Sequence, residues 1–190
     1  MASFASLADL KAIEAEATWP ERKAARTMYE FVAGTARTHG ARPAISYQLL
    51  SDPGSKAVTL TWAALLGQVT QAANLFRSLG VGPQDVVAYV LPNALETAVT
   101  LLGGAVAGIV NPINPLLEAE QISAILRETK AKVVVTLKSF PKTDVAQKVA
   151  EAVRFAPTVK TVVEVDLVRY RAGLKSLIVP LIRPKNPVEH

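Results

Sequence analysis

From Thr61 to Leu79 the apolar residues Leu65, Val69, Ala72, Phe76 and Leu79 recur at alternating intervals of four and three. That spacing puts them on one face of a helix, with Thr61 as its N-cap and Gly80 as its C-terminal stop. Upstream, residues 4–39 read as helical around Leu7, Leu10 and Ile13 and then Met28, Phe31 and Val32, with an interruption near Trp19 and Pro20. Two short strands, 44–49 and 56–60, flank the turn-rich stretch Ser51 to Ser55 and make a hairpin. After a turn at 81–85, the run Val86 to Leu91 is apolar without alternation, as suits a strand covered on both faces. Pro92 ends it. Asn93 with Glu96 three residues later forms an Asn variant of the capping box, and the helix it opens, 93–109, is apolar nearly all round.

Gly103, Gly104 and Gly108 inside that helix imply close approach of another backbone, and the stretch from Asn111 to Pro115 reads as the turn that follows. A helix over 118–130, a strand over 132–136, a helix over about 143–155 and a strand over 159–165 complete the pattern. Strand and helix alternate, which predicts an α/β fold: a partial doubly wound, mostly parallel sheet with helices on both faces, preceded by a helical arm and a β-hairpin. Strands 86–91, 132–136 and 159–165 should be parallel neighbours, with helices 61–79 and 93–109 packed on the sheet. The expected organisation is a helical N-terminal arm (1–40), an α/β subdomain (41–168) and a basic, apolar tail (169–190).

Composition narrows the chemistry. Zero cysteines exclude a disulfide framework, thiolate-bound zinc, iron–sulfur clusters and a thiol nucleophile, and two histidines leave little for a His-based metal site. The net charge of +5 is concentrated in the tail, where Arg169, Arg171, Lys175, Arg183 and Lys185 face Glu189 alone. Tyr170 is the tail's one stacking aromatic and its middle, Leu174 to Ile182, is apolar, so nucleic acid is not the expected partner. Membrane-surface contact through the tail is the alternative. The N-terminus lacks the basic start of a secretory signal, and the apolar run Thr97 to Val110 is shorter than the roughly 20 residues of a spanning helix, which makes a cytoplasmic location the expectation.

Phosphate and nucleophile motifs are weak. Gly103 and Gly108 have the spacing of a Walker loop, but Ile109 and Val110 stand where such a loop needs Lys and Ser or Thr. The stretch Ser51 to Lys56 has hydroxyls and a lysine around one glycine, and its flanking strands favour a hairpin turn. Neither Gly-x-Gly-x-x-Gly nor Gly-x-Ser-x-Gly occurs, and His39 at the end of the helical arm has no acid or serine partner in sequence. No catalytic, cofactor-binding or metal-binding residue is assigned from the sequence.

The segment Leu60-Thr-Trp-Ala-Ala-Leu65 resembles the first core motif, Leu-Thr/Ser-Tyr-x-Glu-Leu, of the AMP-forming adenylating enzymes, which include the acyl-coenzyme A synthetases. The resemblance runs on through Ala73 to Pro83, Asp85 to Asn93, Gly104 to Pro115 and Ile125 to Val135, in the family's order and spacing. The Leu-Pro-Asn ending at Asn93 and the Asn-Pro-Ile-Asn-Pro ending at Pro115 look more like acyl-coenzyme A synthetases than peptide-synthetase domains. Trp62 stands in place of Tyr, Ala64 in place of Glu and Gln84 where Gly is usual.

The resemblance implies an enzyme that activates a carboxylate, such as a fatty acid, with ATP and Mg to an acyl-adenylate, releases pyrophosphate and transfers the acyl group to coenzyme A. It also implies that the phosphate loop, acyl pocket, ribose-binding Asp and late catalytic Lys follow the matched segment, so none is expected in this chain. The expectation is therefore an N-terminal piece of a ligase, inactive alone, whose partner is the remainder of the synthetase or a second copy through self-association. A self-standing, non-catalytic α/β binding module stays open beside it.

Overall fold

The computed structural model describes residues 5–18, 20–22, 24–49 and 55–170. The tail from 171 onward and the hairpin tip at 50–54 lie outside the described residues. The expected helical arm is two helices, α1 (Leu7–Glu16) and α2 (Met28–His39). Each has its own start: the Ser6 hydroxyl accepts from the Asp9 amide, and the Thr27 hydroxyl from the Glu30 amide. Strands β1 (Pro43–Tyr47) and β2 (Val58–Thr61) pair antiparallel as a separate ribbon, with Ser46 opposite Thr59 and their hydroxyls 2.6 Å apart.

Helix α3 (Trp62–Ser78) starts at the predicted cap, where the Thr61 hydroxyl accepts from the Ala64 amide. It stops where Gly80 takes a positive φ of 82°, a conformation that costs a side-chain-bearing residue strain. Beyond it come β3 (Val86–Val90), α4 (Leu95–Ala107), β4 (Ile109–Ile113), α5 (Ala119–Glu128), β5 (Ala131–Leu137), α6 (Val145–Val153) and β6 (Thr161–Val165). Four of these strands form a parallel sheet in the order β4-β3-β5-β6. The chain steps one way from β3 to β4 and the other way from β4 through β5 to β6. Right-handed crossovers therefore put α4 on one face and α5 and α6 on the other.

Two local expectations are corrected. Residues 109–113, taken as helix end and turn, are the edge strand β4, paired with β3 from Val86↔Ile109 to Val90↔Ile113. The Ile109 amide donates to the Asp85 carbonyl, so Ile109, Asn111 and Ile113 turn their backbone groups toward β3. Pro112 then faces off the sheet edge, where its missing N–H breaks no ladder bond. Second, Asn93 does not cap α4: Ala94 holds the cap position without a side-chain bond, and Thr97 donates its hydroxyl to the Pro92 carbonyl instead.

The core joins fully buried Val87, Val90, Val133 and Val134 of the sheet to Ile122 and Leu126 of α5 and Val149 of α6. On the other face α3 lies against α4, with Val69, Ala73 and Phe76 buried. Gly103 makes that seam close: a Cβ there would stand 2.7 Å from Ala72 Cβ and 3.3 Å from the Val69 carbonyl oxygen. Among the described residues, no helix is long and apolar enough to cross a membrane.

Candidate functional site

In a doubly wound sheet the place to look is where neighbouring strands send their connections to opposite faces, because the loops diverge there and leave a crevice at the strands' carboxyl ends. Here β3 leads to α4 on one face and its neighbour β5 leads to α6 on the other. At those ends lies a cavity of about 380 Å³, with Pro92, Pro115, Leu116, Leu137, Phe140 and Leu167 as apolar walls. Leu116 is 82% exposed at its rim.

Lys142, Thr143, Asp144 and Lys148 make up its polar side. Lys148 Nζ lies 3.0 Å from Glu118 Oε1 and 3.2 Å from Asp144 Oδ2. Hydrogen bonding to Glu118, then to Asp144, holds this ammonium above the ordinary lysine range. Deeper, buried Thr136 donates to the Val90 carbonyl at 3.4 Å, and Gln147 donates to the hydroxyl of buried Ser139 at 3.1 Å.

Beside it, Glu96, Glu164, Val165, Asp166, Val168 and Arg169 line a second opening of about 570 Å³. Glu96, in the first turn of α4, accepts from the Tyr170 phenol at 2.7 Å and pairs with Arg169 Nη1 at 2.9 Å. The Tyr170 ring meets Tyr47 of the hairpin edge-on, centroids 4.9 Å apart. Burial, then the bond to Glu96, pushes the Tyr170 phenol far above its usual range, and burial with the Glu96 charge raises Tyr47. The 3-10 turn Leu167–Tyr170 runs across the 168/169 boundary expected between subdomain and tail.

The positions weighed in sequence do not gather here. Gly103 packs on α3, Gly104 on Val110, and Gly108 has the Asp85 and Gly82 carbonyl oxygens 2.5 and 2.6 Å from where a Cβ would sit. These glycines are thus used for close packing within the described residues. His39 ends α2 half-buried, its carbonyl accepting from the Arg42 amide. Ser51–Gly54 lie outside the described residues, while the Ser55 carbonyl accepts from the Gln48 side chain. Among the described residues no three His, Cys, Asp or Glu side chains gather as a metal site. The Glu96, Tyr170 and Tyr47 cluster had no local signal, since Tyr170 is 74 positions from Glu96.

The arrangement provides a rigid sheet with an apolar, ion-paired wall at its carboxyl end. Among the described residues it offers Mg-ATP a poor fit: Gly103, Gly104 and Gly108 are packed against neighbouring atoms, and no three acidic or histidine side chains gather to hold the metal.

A family model described as AMP-binding enzyme matches residues 32–183. The chain is 36% identical over 119 residues to a marinolic acid–CoA ligase of Pseudoalteromonas sp. (strain SANK 73390), covering 62% of this chain and 18% of that protein. It is 34% identical over 82 residues to the long-chain-fatty-acid–CoA ligase FadD13 of Mycobacterium tuberculosis (strain CDC 1551), covering 43% and 16%. The chain thus spans less than a fifth of the length of these relatives. Its fold is similar to that of a benzoate CoA ligase from Burkholderia xenovorans LB400, at TM-score 0.61 and 19% identity over 74% of this chain and 26% of that one.

Proposed function

Because this chain belongs to the family of AMP-binding enzymes, we propose that it is the opening segment of an ATP-dependent acyl-coenzyme A synthetase acting in the cytoplasm, and that it has no ligase activity alone. Its part in such an enzyme is architectural: a sheet held on both faces that presents the wall of Pro92, Pro115, Leu116 and Phe140 at its carboxyl end. ATP, Mg and coenzyme A are assigned to the remainder of the enzyme, and no step of the reaction is assigned to a residue here. The single observation that carries this reading is the family match over residues 32–183, together with its reach over only 18% and 16% of two similar CoA ligases.

The substrate class is a carboxylic acid. Marinolic acid, long-chain fatty acids and benzoate, named for the three similar proteins, share only the carboxylate. The test is carboxylate-dependent exchange of pyrophosphate into ATP, run over aromatic, short-chain and long-chain acids. This chain alone should give none. Exchange by the isolated chain would overturn the assignment of the chemistry to the remainder, and pull-down of a carboxylate-independent protein ligand would favour a free-standing binding module.

A further inference from the structure

The 3-10 turn Leu167–Tyr170 stands between the two cavities at the carboxyl end of the sheet. Leu167 lines the crevice of about 380 Å³, and its neighbours Val168 and Arg169 line the opening of about 570 Å³. The turn's own hold is slight. A single 3-10 turn has poorer hydrogen-bond geometry than an α-helix. Leu167 is its one buried residue, and the Asp166 carboxylate accepts from the Val168 amide at 3.0 Å. Segments with so few buried apolar residues open locally while the core stays folded.

What fastens the turn is one distant side chain, Glu96. Its Oε1 takes Arg169 Nη1 at 2.9 Å and its Oε2 takes the Tyr170 phenol at 2.7 Å, so both carboxylate oxygens are spent on this turn. The Tyr170 ring then rests edge-on against Tyr47, and the Arg169 guanidinium lies 5.5 Å from the centre of the Tyr170 ring. Glu96 sits in the first turn of α4, where a negative charge is favourable whether or not the turn is bound to it. Arg169, with its side chain 62% exposed, exchanges its partner for water at little cost. We propose that Leu167–Tyr170 is a strap with Glu96 as its latch, and that its release joins the two cavities into one cleft. The hinge is the end of β6, where the Val165 carbonyl still accepts from the Lys138 amide at 2.8 Å. Closed, Leu167 walls off Leu137 and Phe140, which share the crevice with it. Open, the strap exposes them to the second opening. The device lies wholly within this chain and does not rest on the proposed function.

The chain has no cysteine, so Leu167→Cys places a single thiol at a position only 4% exposed. Its rate of reaction with an aromatic disulfide reagent, measured on the 190-residue chain without denaturant, reads the opening of the strap. In that background Glu96→Ala, which removes both acceptors, should speed labelling at least about tenfold. Glu96→Gln keeps an acceptor for Tyr170 but gives up the ion pair, so its rate should fall between the two. Arg169→Ala, a change at an exposed side chain, should also speed labelling. Gly103→Ala loosens the seam of α3 and α4 and serves as the control for global unfolding; it should leave the rate near that of the parent. Labelling unmoved by both Glu96→Ala and Arg169→Ala would overturn the proposal. So would a rate raised as much by Gly103→Ala as by Glu96→Ala, or a rise matched by faster amide exchange in β3 and β5. No ligase activity enters the measurement, so failure here leaves the proposed function standing.

Discussion

Replacing Gly103 with alanine adds one methyl group, and the surroundings decide its sign. The new Cβ would stand 2.7 Å from Ala72 Cβ, 3.3 Å from the Ala73 amide nitrogen and 3.3 Å from the Val69 carbonyl oxygen. Two of these three atoms are α3 backbone, so no rotamer change relieves the contact. Helices α3 and α4 must part by several tenths of an ångström, loosening buried Val69, Ala73 and Phe76. Overpacking of that kind costs about 1–3 kcal/mol beyond the roughly 1 kcal/mol alanine gains in helix propensity. Gly67 supplies the control: it lies in α3, is exposed, and a Cβ there meets nothing within 4 Å. Gly67→Ala should therefore stabilise by about 0.4–1 kcal/mol. Thermal melts of the two variants should move in opposite directions, by about 2–4 °C per kcal/mol for a domain of this size. A Gly103→Ala protein as stable as wild type would refute the close-packed seam and reopen the glycine cluster as a ligand loop.

Two further outcomes follow from the polar clusters. Tyr170→Phe keeps the edge contact with Tyr47 but leaves Glu96 without its phenol donor, so it should cost about 1–2 kcal/mol in urea unfolding, and much less when Glu96 is already Ala. The Asp85 carboxyl is held below its ordinary value of 3.8 by the Gly82 amide and then by Lys132. A lowered folded pKa contributes stability that is complete above the unfolded pKa and is lost as pH falls through the folded one. The stability gap between wild type and Asp85→Asn, followed by melts from neutral pH downward, should hold above about pH 5 and close below about pH 4.

Much of the fold was legible because local signals agreed with the global one. The Thr61 cap, the spacing from Leu65 to Leu79 and the stop at Gly80 all pointed to α3, and uninterrupted valine runs pointed to buried strands. β4 was not legible. Pro112 and Pro115 read as breakers, and only the position of Ile113's strand at the sheet edge, with Pro112 facing outward, makes proline admissible. The Asn93 cap failed by one residue, since a helix start set by tertiary packing can dispense with its side-chain bond. Gly103 and Gly104 were read for the close packing they make inside α4, whereas Gly108, expected inside the helix, is its C-cap. The crevice was invisible as a site: Leu116, Phe140 and Leu167 are ordinary apolar residues until the sheet gathers the loops that carry them.

The central claim, that this segment frames a synthetase without itself holding nucleotide, meets its most direct test in isothermal calorimetry of the chain with Mg-ATP. A segment whose Gly103 and Gly104 pack against α3 and Val110, and whose Lys148 is held by two carboxylates, should give no saturable heat into the millimolar range. Saturable binding of micromolar affinity, abolished by Gly104→Leu or by Lys148→Ala, would contradict the account.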